Sequence, residues 1–147
     1  MDGTAIAKLG LALCAGLCGV GSAIGLYNTG SAAAGVLAED KKKFGRLIGL
    51  VVLPATQGIY GFVLAIIGQS SIVADMTLGQ GWAVFAAVLP LTITGLISGI
   101  FQGKTSVSGI YALAKEQSLL GRLIMFPAMV ETYAILGLVI SILLLNL

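Results

Sequence analysis

The sequence predicts an all-α membrane protein with four transmembrane helices, arranged as two tandem copies of one helical hairpin. Three observations carry this. Apolar residues make up 58% of the chain and charged residues only 10%, with a mean hydropathy of +1.06. Soluble domains carry about 25% charged residues, so this chain cannot cover a water-facing surface, and lipid must be its main solvent. The charges are also confined. None falls between Lys8 and Glu39, between Arg46 and Asp75, between Asp75 and Lys104, or after Glu131. A spanning helix needs about 20 mostly apolar residues, so each stretch marks one span.

The third observation is a duplication. A shift of 76 positions aligns the two halves without a gap. Gly45-Arg46-Leu47-Ile48 falls on Gly121-Arg122-Leu123-Ile124, Leu37-Ala38 on Leu113-Ala114, and Gly19, Ser22, Ile24 and Thr29 on Gly95, Ser98, Ile100 and Thr105. Thr56, Ile59, Gly61 and Val63 fall on Thr132, Ile135, Gly137 and Val139. One register running through loops and helices alike indicates a repeated unit. The expected units are residues 1–71 and 77–147, and only the second keeps a carboxylate in its outer helix.

Helix 1 is expected over 5–37. Cys14 and Cys18 stand i,i+4 within it and are read as small packing residues, not as a redox pair or lipidation site. The segment is too long for a signal peptide, whose apolar core runs to roughly 7–15 residues, and Asp2 replaces the basic start. Helix 2 is expected over 46–69, broken near Pro54, which cannot donate to the carbonyl of Leu50. Helix 3 is expected over 80–113 and helix 4 over 122–146, with Pro127 one turn before Glu131 as a second bend. Helices 1 and 3 exceed the thickness of a bilayer, so they project beyond it or tilt.

Lys41, Lys42, Lys43 and Arg46 mark the first hairpin loop, and Lys115 and Arg122 the second, whereas the connection from Gln69 to Gly81 holds Asp75 and no basic residue. By the positive-inside rule both loops are expected in the cytoplasm and both termini outside. Two helices per repeat make the repeats parallel, unlike inverted-repeat transporters. Small residues at i,i+4 spacing (Ala15, Gly19 and Ala23; Gly21 and Gly25; Gly95, Gly99 and Gly103) permit close helix approach in lipid. Their number predicts an oligomer with helices 1 and 3 on its inner surface.

Net charge is +2 and no histidine is present. Nucleic-acid binding and imidazole-based chemistry are thereby excluded. Glu131 lies about nine residues into helix 4. A charge at that depth costs about 2.5–3.5 kcal/mol on insertion scales and marks a functional site. Leu53, Thr56, Gln57 and Tyr60 share one face of helix 2 at i, i+3, i+4, i+7, and helix 3 offers Gln102 beside Lys104. One carboxylate, two amides, a hydroxyl and loosened carbonyls are hard oxygen ligands. A single carboxylate balances a monovalent ion, which points to Na⁺, with H⁺ as the alternative.

The chain resembles the proteolipids of V-type ATPases, the K or c subunits of the membrane rotor, and in particular the bacterial Na⁺-translocating members. The likeness is carried by Leu53-Pro54-Ala55-Thr56-Gln57-Gly58-Ile59-Tyr60-Gly61-Phe62, by Ser98-Gly99-Ile100-Phe101-Gln102-Gly103-Lys104, and by Met129-Val130-Glu131-Thr132-Tyr133-Ala134-Ile135-Leu136-Gly137. Ala55 stands where relatives often have Gly, and Pro127 where some have Ala. The resemblance implies Na⁺ held by Glu131, Gln102, Gln57, Thr56 and the Leu53 carbonyl, with Tyr60 hydrogen-bonding the carboxylate. It further implies identical subunits assembling into a ring in the lipid bilayer, a stator subunit supplying an Arg, and a central-stalk subunit. The chain itself would not be an enzyme but one part of an assembly that couples transport to ATP hydrolysis or synthesis, in a bacterial plasma membrane. One Glu per duplicated subunit lowers the ions carried per turn, which favours pumping. A multidrug–proton antiporter also has four helices and one Glu, but in its first helix and with aromatic walls; aromatics here are 7%. A purely structural four-helix protein leaves Glu131 unexplained.

Overall fold

The computed structural model of the chain describes residues 2–147. Five α-helices run through it: α1 (Gly3–Glu39), α2 (Phe44–Val52), α3 (Thr56–Gly68), α4 (Leu78–Lys115) and α5 (Leu120–Leu145), with no strand among the described residues. A 3₁₀ turn, Leu53–Ala55, joins α2 to α3 at Pro54. They therefore form one span, and the molecule has four helices long and apolar enough to cross a membrane.

The first and third expected helices extend by two residues at each end, where their starts are capped, whereas the second and fourth begin two residues earlier than expected and their α-helical parts end one residue short. Asp2 accepts a hydrogen bond from the N–H of Ala5 at 2.7 Å and starts α1, and Thr77 and Gln80 form a capping box at the start of α4. The hairpin turns repeat one construction 76 positions apart. Asp40 and Glu116 are both extended, with φ of −147° and −137°. Each accepts from the N–H two residues on, at 3.0 Å. Short polar acceptors of this kind stabilise turns by satisfying freed donors.

The long helices α1 and α4 pack along their length as one layer; α3 covers α1 and α5 covers α4. Glycine sets the spacing of the inner pair. A methyl at Gly99 would lie 2.7 Å from the carbonyl carbon of Gly21, and one at Gly21 would lie 2.8 Å from the Cα of Leu96. Backbones approach this closely only without side chains, the usual mode of helix association in lipid. These glycines act inside the subunit, whereas Gly16 and Gly19 face open space. The small-residue faces thus divide between internal packing and an uncovered side.

At the loop end, Lys43 donates from Nζ to the carbonyl of Ala114 at 2.9 Å. It ties the first hairpin loop to the last turn of α4, where a cation meets the negative helix end. The core is apolar at both ends. Val36, Leu47, Leu50, Ile110 and Leu113 cluster near the loops; Leu11, Leu64, Val88, Leu91 and both cysteines cluster at the far end. Cys14 and Cys18 are fully buried, as packing residues should be. Between the clusters, α3 and α4 each contribute one fully buried amide, Gln57 and Gln102.

Candidate ion-binding site

Pro54 creates the local geometry. It lacks the N–H that would continue the ladder, and the second span responds with the 3₁₀ turn Leu53–Ala55. Thr56 restarts the α-helix, its backbone N–H and its hydroxyl both directed to the Leu53 carbonyl, the latter at 3.1 Å. From that restart Gln57 and Tyr60 project toward α4 and α5. Pro127 behaves differently: α5 stays continuous through it.

The structure brings all six predicted residues into one connected network. Glu131 accepts from the Tyr60 hydroxyl on Oε1 at 2.6 Å and from Gln102 Nε2 on Oε2 at 3.0 Å. The amide oxygen of Gln102 accepts from Gln57 Nε2 at 2.5 Å. Gln57 Oε1 lies 3.4 Å from the Thr56 hydroxyl, which returns to Leu53. Both carboxylate oxygens are thus held by donors from two different helices, and hydrogen bonds to an ionised group are the stronger kind. Gln57 and Gln102 are fully buried, while Glu131 and Tyr60 are half-buried at the outer layer.

The donor set can be tested for fit to a cation. Oxygens held about 2.3–2.6 Å from a hard cation such as Ca²⁺ lie roughly 3–4 Å from one another. Thr56 Oγ1 lies 3.1 Å from the Leu53 oxygen and 3.4 Å from that of Gln57, so these atoms already stand at ligand spacing. Glu131 is the one carboxylate in the network, and no cluster of three His, Cys, Asp or Glu side chains exists among the described residues.

Two residues on α1 support the site without belonging to the predicted set. Ser22 Oγ accepts from the backbone N–H of Gly58 at 2.7 Å, and the Thr29 hydroxyl donates to the Val51 carbonyl at 2.8 Å. They stand seven residues apart on one face and clamp the backbone on either side of the Pro54 break. Their spacing was visible in the sequence, but the backbone atoms they would meet were not.

Four spanning helices in two repeated hairpins, closed around a single acid with amide, hydroxyl and carbonyl oxygens, define a proteolipid of the rotary-ATPase type. The chain belongs to the ATP synthase C subunit family, which it matches twice, over residues 9–68 and 85–144. The second match begins 76 positions after the first (residue 85 against residue 9), the offset of the internal repeat. Among its relatives is the V-type sodium ATPase subunit K of Enterococcus hirae, 46% identical over 97% of this chain and 91% of that one. The A-type ATP synthase subunit K of Methanocaldococcus jannaschii is 42% identical over 99% of this chain, which spans 64% of that relative's length. A proteolipid of the Homo sapiens V-type proton ATPase is 24% identical over 85% of this chain and 81% of its own length. The chain is an integral membrane protein of this family.

Proposed function

We propose that the chain is the ion-carrying subunit of the membrane rotor of a V-type rotary ATPase, binding Na⁺ at Glu131 and moving it across the membrane. The observation that carries this reading is the continuous network from Leu53 through Thr56, Gln57 and Gln102 to Glu131, closed by Tyr60. The name of the Enterococcus hirae relative, a sodium ATPase subunit, supports the choice of ion. A proton would need only Glu131 and a single partner; the oxygens behind it are superfluous for protonation and useful for a cation.

The mechanism follows from charge. An ionised Glu131 facing lipid is costly, and one captured Na⁺ neutralises it. The carbonyl of Leu53, the Thr56 hydroxyl, the amide oxygens of Gln57 and Gln102, and the carboxylate are the groups that take the place of water around the ion. Tyr60 holds the carboxylate in position and acts as the gate. Once loaded and neutral, the site can turn through lipid; an Arg from a stator subunit displaces the ion by offering the carboxylate another positive partner. Carrying one charge against 100 mV requires about 2.3 kcal/mol, so binding must be reversible. Identical copies form the ring, and a central-stalk subunit joins it to the subunits that handle ATP; the chain itself catalyses nothing. The hairpin loops with their Lys and Arg residues face the cytoplasm.

A hydrophobic carbodiimide, which reacts with a carboxyl in an apolar setting, is expected to modify Glu131 selectively. Na⁺ should protect it, less so as pH falls and protons compete for the same group. Modification without Na⁺ protection would assign the cargo to H⁺, and an unreactive Glu131 would refute the site.

A further inference from the structure

On the loop side of the ion site, one buried polar atom takes no part in the network. Ser106 on α4 is fully buried, and its hydroxyl meets no hydrogen-bond partner among the described residues. A helical serine or threonine ordinarily bonds back to a carbonyl one turn earlier. Its neighbours do so: Thr105 donates to the carbonyl of Phe101 at 2.9 Å and Ser108 to that of Lys104 at 3.4 Å. Ser106 does not. Buried hydroxyls in folded proteins are satisfied by protein or by ordered water, because an unmade bond forfeits the hydration lost on burial.

The contacts on either side of Ser106 fix what it faces. Gln57 meets Gln102, and Leu50 meets Gly109, where an added methyl would lie 3.1 Å from Leu50 Cδ1. Gln57 to Leu50 and Gln102 to Gly109 are both seven residues, run in opposite directions, so Ser106 comes level with Leu53 in the Pro54 break. On α1, Gly25 packs against both Gly103 and Pro54. One turn further along α1, Thr29 is fully buried and donates to the Val51 carbonyl at 2.8 Å. Three groups therefore converge at one level. The Ser106 hydroxyl lacks a partner, the Leu50 carbonyl has a proline at the position of its helical donor, and the Thr29 oxygen keeps lone pairs free to accept.

We propose that one buried water molecule occupies this junction, accepting from the Ser106 hydroxyl and donating to the Leu50 carbonyl and the Thr29 oxygen. Three hydrogen bonds are the usual complement of an internal water. The set is neutral: α1 carries no acid between Lys8 and Glu39, and α2 and α4 carry none along their length. A cation there would be a buried charge without a counter-charge, which is strongly unfavourable. Lys104 is exposed two residues earlier on α4, and a charge that must reach water places this level close to the aqueous phase. Ser106 is thereby a positioning residue. Ser22 and Thr29 hold the Pro54 break from α1, and the water holds it from α4, next to the Leu53 carbonyl. The water rests on packing alone; the positioning role rests on the Na⁺ site proposed above.

The test images the assembled full-length protein in lipid nanodiscs by electron cryomicroscopy, at a resolution that shows ordered water. The wild type should show solvent density about 2.7–3.2 Å from both Ser106 Oγ and the Leu50 oxygen. Ser106→Ala should lose it, and Ser108→Ala, which removes an exposed hydroxyl from the same helix, should keep it. In carbodiimide labelling of Glu131, Ser106→Ala should weaken Na⁺ protection about threefold, the scale of one neutral hydrogen bond, and Ser108→Ala should leave it unchanged. A Ser106 hydroxyl bonded directly to the Gln102 carbonyl, with no density beside it, overturns the proposal. So does density that persists in Ser106→Ala. Density lost without any change in Na⁺ protection overturns the positioning role. A wild type that Na⁺ never protects refutes the ion reading of Glu131 and the positioning role with it, while the density still decides the water.

Discussion

The second and fourth spans are the same element of the repeat, 76 positions apart, and they have diverged in opposite directions. In the second, Pro54 interrupts the helix and a 3₁₀ turn intervenes between α2 and α3; in the fourth, Pro127 lies within an unbroken α5. Where the fourth span has Glu131, the second has Ala55. Where the second has Gln57 and Tyr60, the fourth has Tyr133 and Leu136. Thr56 and Thr132 still make the same bond, to the carbonyl three residues earlier, at 3.1 and 2.7 Å. Yet Thr56 joins the network while Thr132 is exposed. The inner helices differ likewise, with Gln102 on α4 matched by Leu26 on α1.

The comparison shows a division of labour between equivalent helices. In the proposed site the second span supplies the neutral oxygens and the Tyr60 hydroxyl, and the fourth supplies the carboxylate. Keeping one acid per chain means one monovalent ion restores neutrality. The first-half equivalent of Gln102 is Leu26, so a second acid at position 55 would find no amide at the corresponding place, and an unpartnered charge at membrane depth is unfavourable.

The largest effect expected is from Glu131→Gln, which should abolish ion-coupled transport and carbodiimide labelling together; persistence of coupled transport would remove the basis of the comparison. Next comes the exchange of the two positions, Ala55→Glu with Glu131→Gln. If the halves are specialised as described, the exchanged protein should show no Na⁺-protected labelling at position 55. Recovery of protection would mean that the surrounding oxygens matter little.

Within the network, Gln102→Leu should weaken Na⁺ protection about 5- to 150-fold, the range for leaving buried partners unsatisfied by about 1–3 kcal/mol. Tyr60→Phe should weaken it less, by about tenfold, because Gln102 still holds the other carboxylate oxygen. Packing is probed by Gly99→Val, which meets the Gly21 backbone and should destabilise the subunit by about 1–3 kcal/mol. Gly16→Ala faces open space and, by removing a glycine from a helix interior, should stabilise the subunit by up to about 1 kcal/mol in detergent denaturation.

The smallest effect concerns the second hairpin turn. The hydroxyl and backbone N–H of Ser118 hold the exposed Glu116 carboxyl below its ordinary value. A group depressed on folding contributes stability above its unfolded value and loses it as pH falls through the lower folded one. Amide exchange at Ser118 should therefore stay slow until the solution is more acidic than an ordinary glutamate requires, and Glu116→Ala should remove that dependence.

The sequence by itself determined the solvent, the number of spans, the repeat and the acid. Each is a one-dimensional property: hydropathy sums along the chain, a duplication is a shift, and a buried charge stands out wherever its neighbours are apolar. Helical spacing also placed Leu53, Thr56, Gln57 and Tyr60 on one face, because they share a helix. Their connection to Gln102 and Glu131 joins residues 45 and 29 apart along the chain, and only the packing of three helices decides it. The clamp of Ser22 and Thr29 on the Pro54 break has the same character, since a backbone atom has no signature in the sequence. Which glycines are buried and which are open likewise depended on how α1 meets α4, because small-residue spacing is the same on a face that is covered and on one that is not.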